Sequence, residues 1–272
     1  MNKTTLGIIG GGQLGSLLAS AAKKIDIKKI IFCDDINAPG QKFSDGFIFS
    51  DYHNEKKINE FIDKVDIVTF EFENIPFETL NIINESKKVL PNPRINQIIQ
   101  NRLKEKNFIN NLGIKTTSYA SVKNINDLNL NTKLLPGILK TCTLGYDGKG
   151  QFKINSIKDI NSSNINFKDE YILEKLVNLK KEISVIITRF GQNSYEIYEP
   201  IENLHENQIL KYSKIPADIN MKIADTSKKW AKLICEELEY IGTLCVEYFI
   251  DKNEDLYVNE IAPRVHNSGH LT

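Results

Sequence analysis

The stretch LGIIGGGQLGSLLASAAK, Leu6 to Lys23, constrains the fold more than any other. An apolar run enters Gly10-x-Gly12-x-x-Gly15 and leaves it as an amphipathic segment. That is a strand, a turn whose glycines can take positive φ, and a helix whose first N–H groups face whatever sits at the turn. The alternation continues, with strands expected at 4–9, 29–34 and 66–72 and helices at 13–24, 54–64 and 77–87. Apolar runs separated by amphipathic stretches mean a parallel sheet with crossover helices. Asp34 and Asp35 end the second run about 20 residues on, where a ribose-binding acid would stand. Two readings stay open here, a nicotinamide pocket or a glycine turn put to another use.

Pro91 and Pro93 close this unit. From Arg94 to Leu112 the pattern is helical, with Ile95, Ile98, Ile99, Leu103 and Ile109 in one stripe and Gly113 as the stop. Beyond Lys115 shorter strands joined by polar loops give an α+β pattern. A helix at about 221–238 precedes two strands, TLCVEYFI and LYVNEI, joined by DKNED. The 272 residues suffice for one large domain or two smaller ones. Thirty-five basic residues balance thirty-five acidic ones, so no global field draws the chain to nucleic acid or an anionic membrane. The start lacks a signal-peptide pattern, and no apolar run is long enough to span a bilayer. Cys33, Cys142, Cys235 and Cys245 are scattered without a CxxC pair or a Cys/His cluster, which argues against zinc and against a disulfide framework. A reduced cytoplasm fits that usage.

Four stretches carry chemistry. In LKTCTLGYDGKGQFKI, Gly145, Gly148 and Gly150 make a loop between strands, with Lys140 and Lys149 at its ends. Flexible backbone with ammonium groups suits a polyphosphate, although a surface hairpin reads the same way. It is not a Walker A loop, since no GK[ST] follows. In YILEKLVNLKKEISV, Glu174 and Lys175 leave one strand and Glu182 enters the next, as nucleotide contacts or as solvated edge charges. In VEYFIDKNEDLYVNEIAPR, Glu247 sits in one apolar strand and Glu260, preceded by Asn259, in the next. An acid inside such a run is costly to bury unpaired, so either a cation or a basic side chain meets it. With Asp251 opposite Leu256, Glu247 falls opposite Glu260; a one-residue shift without a bulge would separate them. Last, APRVHNSGHLT gathers Arg264, His266, Asn267, Ser268 and His270 around a glycine, a set of anion and hydroxyl ligands that a ligand would order.

Taken together, GGGQLG, TFEFENIP, GYDGKGQ and NEIAPRVHNSGH resemble, in order and across nearly the whole chain, the motifs of the ATP-grasp superfamily and within it of the 5-(carboxyamino)imidazole ribonucleotide synthases. The resemblance implies a Rossmann-like pre-ATP-grasp domain at 1–92, α/β in class, and an α+β ATP-grasp domain at 93–272 with a lid at about 115–176. It implies ATP-dependent carboxylation of aminoimidazole ribonucleotide by bicarbonate, Mg²⁺ as cofactor and a homodimer. It turns the glycine turn from nicotinamide to the ribonucleotide, with Gln13, Leu14, Glu73, Asn267 and Ser268 as substrate contacts, and Glu71 the lesser candidate because alternation points it the same way as Glu73. Arg102 and Lys140 would bind ATP phosphates beneath a loop of Gly145, Tyr146, Asp147, Gly148, Lys149, Gly150 and Gln151. Glu174, Lys175, Leu176 and Val177 would form the adenine hinge, Glu182 would hold ribose, and His205 would lie on the nucleotide side, a loop histidine otherwise solvated. Glu247, Glu260 and Asn259 would hold Mg²⁺, and Arg264, Lys140, His266 and His270 would serve catalysis. Two departures stand out: Cys142 and Thr143 occupy positions where the family often has basic residues. The sequence also stops at Thr272, where the family continues into a small C-terminal domain that contacts the substrate phosphate. The rival readings are an NAD-dependent oxidoreductase, separated by binding of ATP·Mg rather than NAD(H), and a nucleotide-binding chain without turnover.

Overall fold

The computed structural model describes residues 4–143, 150–162, 165–206 and 209–272. Five parallel strands, β1 (Thr5–Ile9), β2 (Lys28–Cys33), β3 (Gly46–Phe49), β4 (Ile67–Phe70) and β5 (Lys88–Val89), form the first sheet in the order 3-2-1-4-5. Helices α1 (Gln13–Lys24), α2 (Glu55–Ile62) and α3 (Phe77–Ser86) connect them. The strands β3 and β5 are additions to the expected pattern, being too short to stand out as apolar runs. Phe32, Phe61, Val68, Phe70 and Leu80 form the core of this unit. Helix α1 packs tightly because Gly15, Ala19 and Ala22, its buried positions, carry almost no side chain.

The glycine turn is filled from within. Gly10 has φ +93°, and a Cβ there would stand 2.7 Å from the Glu71 side chain. The Gly12 amide donates to Glu71 Oε1 at 2.8 Å. A carboxylate therefore occupies the place where a dinucleotide site needs a phosphate. Burial pushes the Glu71 carboxyl up, opposed by the Gly12 amide. Gly10→Ala is expected to cost about 2 kcal/mol through a disfavoured φ and a clash with Glu71. Urea denaturation measures it; wild-type stability would refute this packing.

The single helix expected over 94–112 is two, α4 (Arg94–Ile99) and α5 (Arg102–Asn111). The break has one distant cause and one local one. Gln100 Nε2 donates to the carbonyls of Glu73 and Ile75, and the Asn101 side chain caps α5 by accepting from the amides of Leu103 and Lys104. Gly113, at φ +70°, follows its end.

A small antiparallel sheet follows, ordered β6 (Tyr119–Val122), β9 (Tyr171–Lys175), β7 (Gly137–Thr141), β8 (Gln151–Ile154), with α6 (Ile125–Leu130) and α7 (Ile157–Ser162) in its connections. Val122, Leu139, Tyr171 and Leu173 form its core. The third sheet is antiparallel and has six strands: β10 (Leu179–Gly191), β11 (Ser194–Ile197), β12 (Ile201–Glu206), β13 (Ile209–Lys214), β14 (Gly242–Asp251) and β15 (Leu256–Ala262). Its path is 13-12-10-14-15, with β11 paired to β10. Helix α8 (Met221–Glu237), capped by the Asn220 side chain, buries Ile223, Ala231 and Ile234 in the same core as Val185, Leu244 and Tyr248. His205 lies on β12, not on a loop. Among the described residues no helix is long and apolar enough to cross a membrane.

Candidate active site

One cleft of about 640 Å³ is walled by the two antiparallel sheets, by the loop after β4 and by the α4–α5 region. Glu73 comes from the first unit, Arg102 and Glu105 from α5, Lys140 and Glu174 from the small sheet, and Glu182, Glu247 and Glu260 from the large one.

Two acids face each other across a bulge. Ile250, not Asp251, pairs with Leu256, so the turn is offset by one residue from the expected register. Pairing then skips Asn259, and Glu247 is opposite Glu260 after all. Asn259 is the extra residue of a β-bulge, and without it Glu260 would face the other side of the sheet. Glu247 pairs with a protein group, since His266 Nε2 is 3.0 Å from its Oε1. Glu260 has no such partner among the described residues. It is ringed by protein yet opens to cleft water; burial and the facing Glu247 charge push its carboxyl up. Two oxygen donors with an uncompensated charge between them fit a hard divalent cation.

Helix α5 holds the bulge from two consecutive positions. Glu105 Oε1 accepts from the Ile261 amide at 2.6 Å, and Lys106 Nζ donates to the Asn259 carbonyl at 3.0 Å. Lys106 also donates to Thr116 Oγ1 at 2.9 Å and lies 3.6 Å from Glu174 Oε2. Burial, then Glu260, pushes the Glu105 carboxyl up; burial pushes the Lys106 ammonium down, opposed by Glu174. Both side chains are buried. The sequence held a signal for them, because Lys106 is three residues from both Leu103 and Ile109, on the apolar stripe itself.

Glu174 accepts from Lys140 Nζ at 3.1 Å and from Thr117 Oγ1 at 3.2 Å. Burial alone would raise its carboxyl, but Lys106 and Lys140 outweigh it and hold it at about 2. Its ionised form is thus favoured by folding. That contribution, about 3 kcal/mol, is full above the unfolded carboxyl value near 4.5 and is lost as pH falls through about 2. Stability should therefore fall more steeply over this window in the wild type than in Glu174→Gln, as urea midpoints would register. Parallel pH profiles would contradict the ion pairing.

Arg264, from the turn after β15, pairs through Nε with Glu73 Oε2 and so ties the last segment to the first unit. Burial opposes the charge on Glu73, and the Arg264 contact more than offsets it, leaving the carboxyl below its ordinary value. Strand β4 ends at Phe70, so alternation does not carry through to Glu71 and Glu73: one enters the glycine turn, the other the cleft. His205 Nδ1 lies 2.5 Å from Glu182 Oε2, close but poorly aligned for a hydrogen bond, and the contact raises the imidazole above its ordinary value. Arg102 Nη1 donates to the Thr141 carbonyl, which sets a guanidinium beside Cys142 and Thr143, where the sequence lacks a cation.

Of the other expected residues, Lys175, Leu176, Val177, Gln151 and Asn267 line the cleft. Gln13, Leu14, Gly150, Ser268 and His270 do not. Gln13 is exposed at the start of α1 with Leu14 half-buried beside it, and His270 is exposed in a 3₁₀ turn, Asn267–Leu271. Ser268 is fully buried, its Oγ 2.8 Å from Ser184 Oγ and 2.9 Å from His266 Nδ1. Gly145, Tyr146, Asp147, Gly148 and Lys149 lie outside the described residues. Ser184 and Asn203, whose Nδ2 donates to Ser184 Oγ at 2.9 Å, complete a buried chain behind His266 that nothing in the sequence spacing announces.

Known proteins resemble this chain along nearly its whole length. Residues 3–100 match the ribonucleotide synthetase preATP-grasp domain and residues 107–272 the ATP-grasp domain. The N5-carboxyaminoimidazole ribonucleotide synthase of Staphylococcus aureus (strain COL) is 40% identical over 274 residues, covering 98% of this chain and 72% of its own. The S. aureus N5-carboxyaminoimidazole synthetase complexed with ADP superposes with a TM-score of 0.93 at 39% identity, covering 98% of this chain and 72% of that one. The Aspergillus clavatus synthase in complex with ADP and 5-aminoimidazole ribonucleotide gives 0.87 at 25% identity, over 99% and 72%. The chain belongs to the N5-carboxyaminoimidazole ribonucleotide synthase family of ATP-grasp proteins.

Proposed function

We propose that the chain is an ATP-grasp ligase that carboxylates 5-aminoimidazole ribonucleotide with bicarbonate, yielding the 5-carboxyamino product, ADP and phosphate by way of carboxyphosphate. The observation that carries this reading is the meeting, in one cleft, of the Glu247–Glu260 pair with Lys140 and Arg102. Acids of that spacing opposite cations suit a nucleoside triphosphate and its counter-ion, whereas an apolar pocket would not. The Aspergillus relative, crystallised with ADP and the ribonucleotide, supports both ligands.

Lys140 and Arg102, which both line the cleft, would offset charge on a transferring phosphoryl group. Glu174 through Val177 form the strand-end segment against which adenine would rest, and Glu182 with His205 the polar edge for its ribose. Mg²⁺, held by Glu247 and Glu260 with Asn259 beside them, would neutralise phosphate charge. Bicarbonate is a weak nucleophile, so its oxygens need fixing near the phosphoryl group. Arg264, which lines the cleft with its Nε held by Glu73 and its Nη1 donating to the Val265 carbonyl, would fix them with the rest of its guanidinium. Glu73 in turn, which lines the cleft, would make the hydroxyl or amine contact to the ribonucleotide. Carboxyphosphate is lost quickly to water, so a cover is required, and the glycines of the 145–150 stretch suit one. A homodimer is part of the same reading.

Phosphate release from ATP is the test. It should require both aminoimidazole ribonucleotide and bicarbonate; nucleotide binding with no such stimulation would favour a chain that does not turn over.

A further inference from the structure

The spacing of the four cysteines argues against a metal site, yet folding places one of them in a mixed donor set. Cys245 and Glu247 are two residues apart on β14 and share a face of the sheet. His266 arrives on that face from the turn after β15. One ligand atom from each lies within 4.8 Å of the other two. Thiolate, imidazole and carboxylate at that separation are the donors of a tetrahedral site with its fourth position open. The set has a route to solvent, because Glu247 and His266 line the cleft while Cys245 closes the back. It also has an outer layer. Ser268 Oγ is 2.9 Å from His266 Nδ1, and Ser184 and Asn203 continue the chain behind it. Nε2, the nitrogen aimed at Glu247, is the coordinating atom; Nδ1, placed to accept from the Ser268 amide at 3.3 Å in the unliganded chain, takes up the ring proton on binding and donates it to Ser268 Oγ.

We propose that Cys245, Glu247 and His266 form a site for a thiophilic divalent cation of the Zn²⁺ class, distinct in chemistry from the Glu247–Glu260 pair but sharing Glu247 with it. Binding sends the thiol proton to solvent, moves the His266 ring proton from Nε2 to Nδ1, and replaces the His266–Glu247 contact by two coordinate bonds, with the Cys245 thiolate as the third. Glu247 then faces away from Glu260, so a thiophilic ion and Mg²⁺ exclude one another. Affinity order favours the softer ion at a sulfur-containing site even where Mg²⁺ is in excess. The sharing rests on the reading of Glu247 as a Mg²⁺ ligand; the thiophilic site itself does not.

Titration of the full chain with Co²⁺, without nucleotide, reads the site through thiolate-to-metal absorption. One equivalent should bind with that band, the band should vanish in Cys245→Ala, and affinity should fall at least about tenfold in His266→Ala. Cys33, Cys142 and Cys235 remain in both variants as internal controls. A band that survives Cys245→Ala, or Co²⁺ bound without sulfur absorption, overturns the proposal. X-ray absorption on the wild-type chain with one equivalent of Zn²⁺ needs no variant: one sulfur ligand supports the site, and oxygen and nitrogen alone overturn it. Mg²⁺ with an unhydrolysable ATP analogue should then weaken Co²⁺ binding in the wild type. An unshifted titration would leave the thiophilic site standing and overturn the sharing, together with the placement of Mg²⁺ on Glu247.

Discussion

Glu260→Gln should lower turnover by about 10³-fold, the scale seen when one preorganised charge at a reacting phosphate or oxyanion is removed. The amide keeps the size of the acid, so the hairpin of β14 and β15 should form as before. Its effect on stability runs the other way. Glu260 repels Glu247, and its charge helps push Glu105 up, so neutralising it removes a strain of the unliganded protein. Calorimetry should therefore show a higher Tm for Glu260→Gln while phosphate release collapses, the pattern of a site that sacrifices stability for function. Near-normal turnover at saturating Mg²⁺ would remove Glu260 from the metal site.

The second large effect is expected at Lys106, which touches neither nucleotide nor substrate in this reading. Lys106→Met keeps the length and apolar stem of the side chain but strips donors from the Asn259 carbonyl and Thr116 Oγ1, and one of two cations from Glu174. Breaking a buried charge arrangement of this kind costs about 3 kcal/mol. Urea denaturation would show it. A purely structural lysine would stop there. Lys106 also pins the bulge that turns Glu260 toward Glu247, so the apparent Mg²⁺ affinity of the folded variant should drop as well, by about tenfold. Loss of stability with wild-type Mg²⁺ affinity would make Lys106 a packing residue only.

The order of elements was legible where side-chain period alone decides it. Residues 5–9, 13–24, 28–33 and 221–237 follow their apolar patterns closely. The pattern fails where tertiary partners intervene. The break between α4 and α5 is only half local: Asn101 caps α5, but Gln100 is drawn off by carbonyls of Glu73 and Ile75, far away in sequence. The facing of Glu247 and Glu260 was readable as a pair, but through a register one residue out; the bulge at Asn259 that restores it is held by α5, which hairpin arithmetic does not contain. The glycine turn shows a different limit. Its spacing suits a dinucleotide equally well, and only the carboxylate of Glu71, 59 positions from Gly12, decides otherwise. Cys245 and His266 meet for the same kind of reason: a strand face and a later turn converge, and residue spacing carries no trace of it.

A crystal structure of the chain with an ATP analogue and Mg²⁺ tests the central claim most directly. The ion should lie between the carboxylates of Glu247 and Glu260, with the phosphates reaching toward Lys140 and Arg102. Density for the triphosphate at the turn of residues 10–15, or an ion bound away from both acids, would contradict the account.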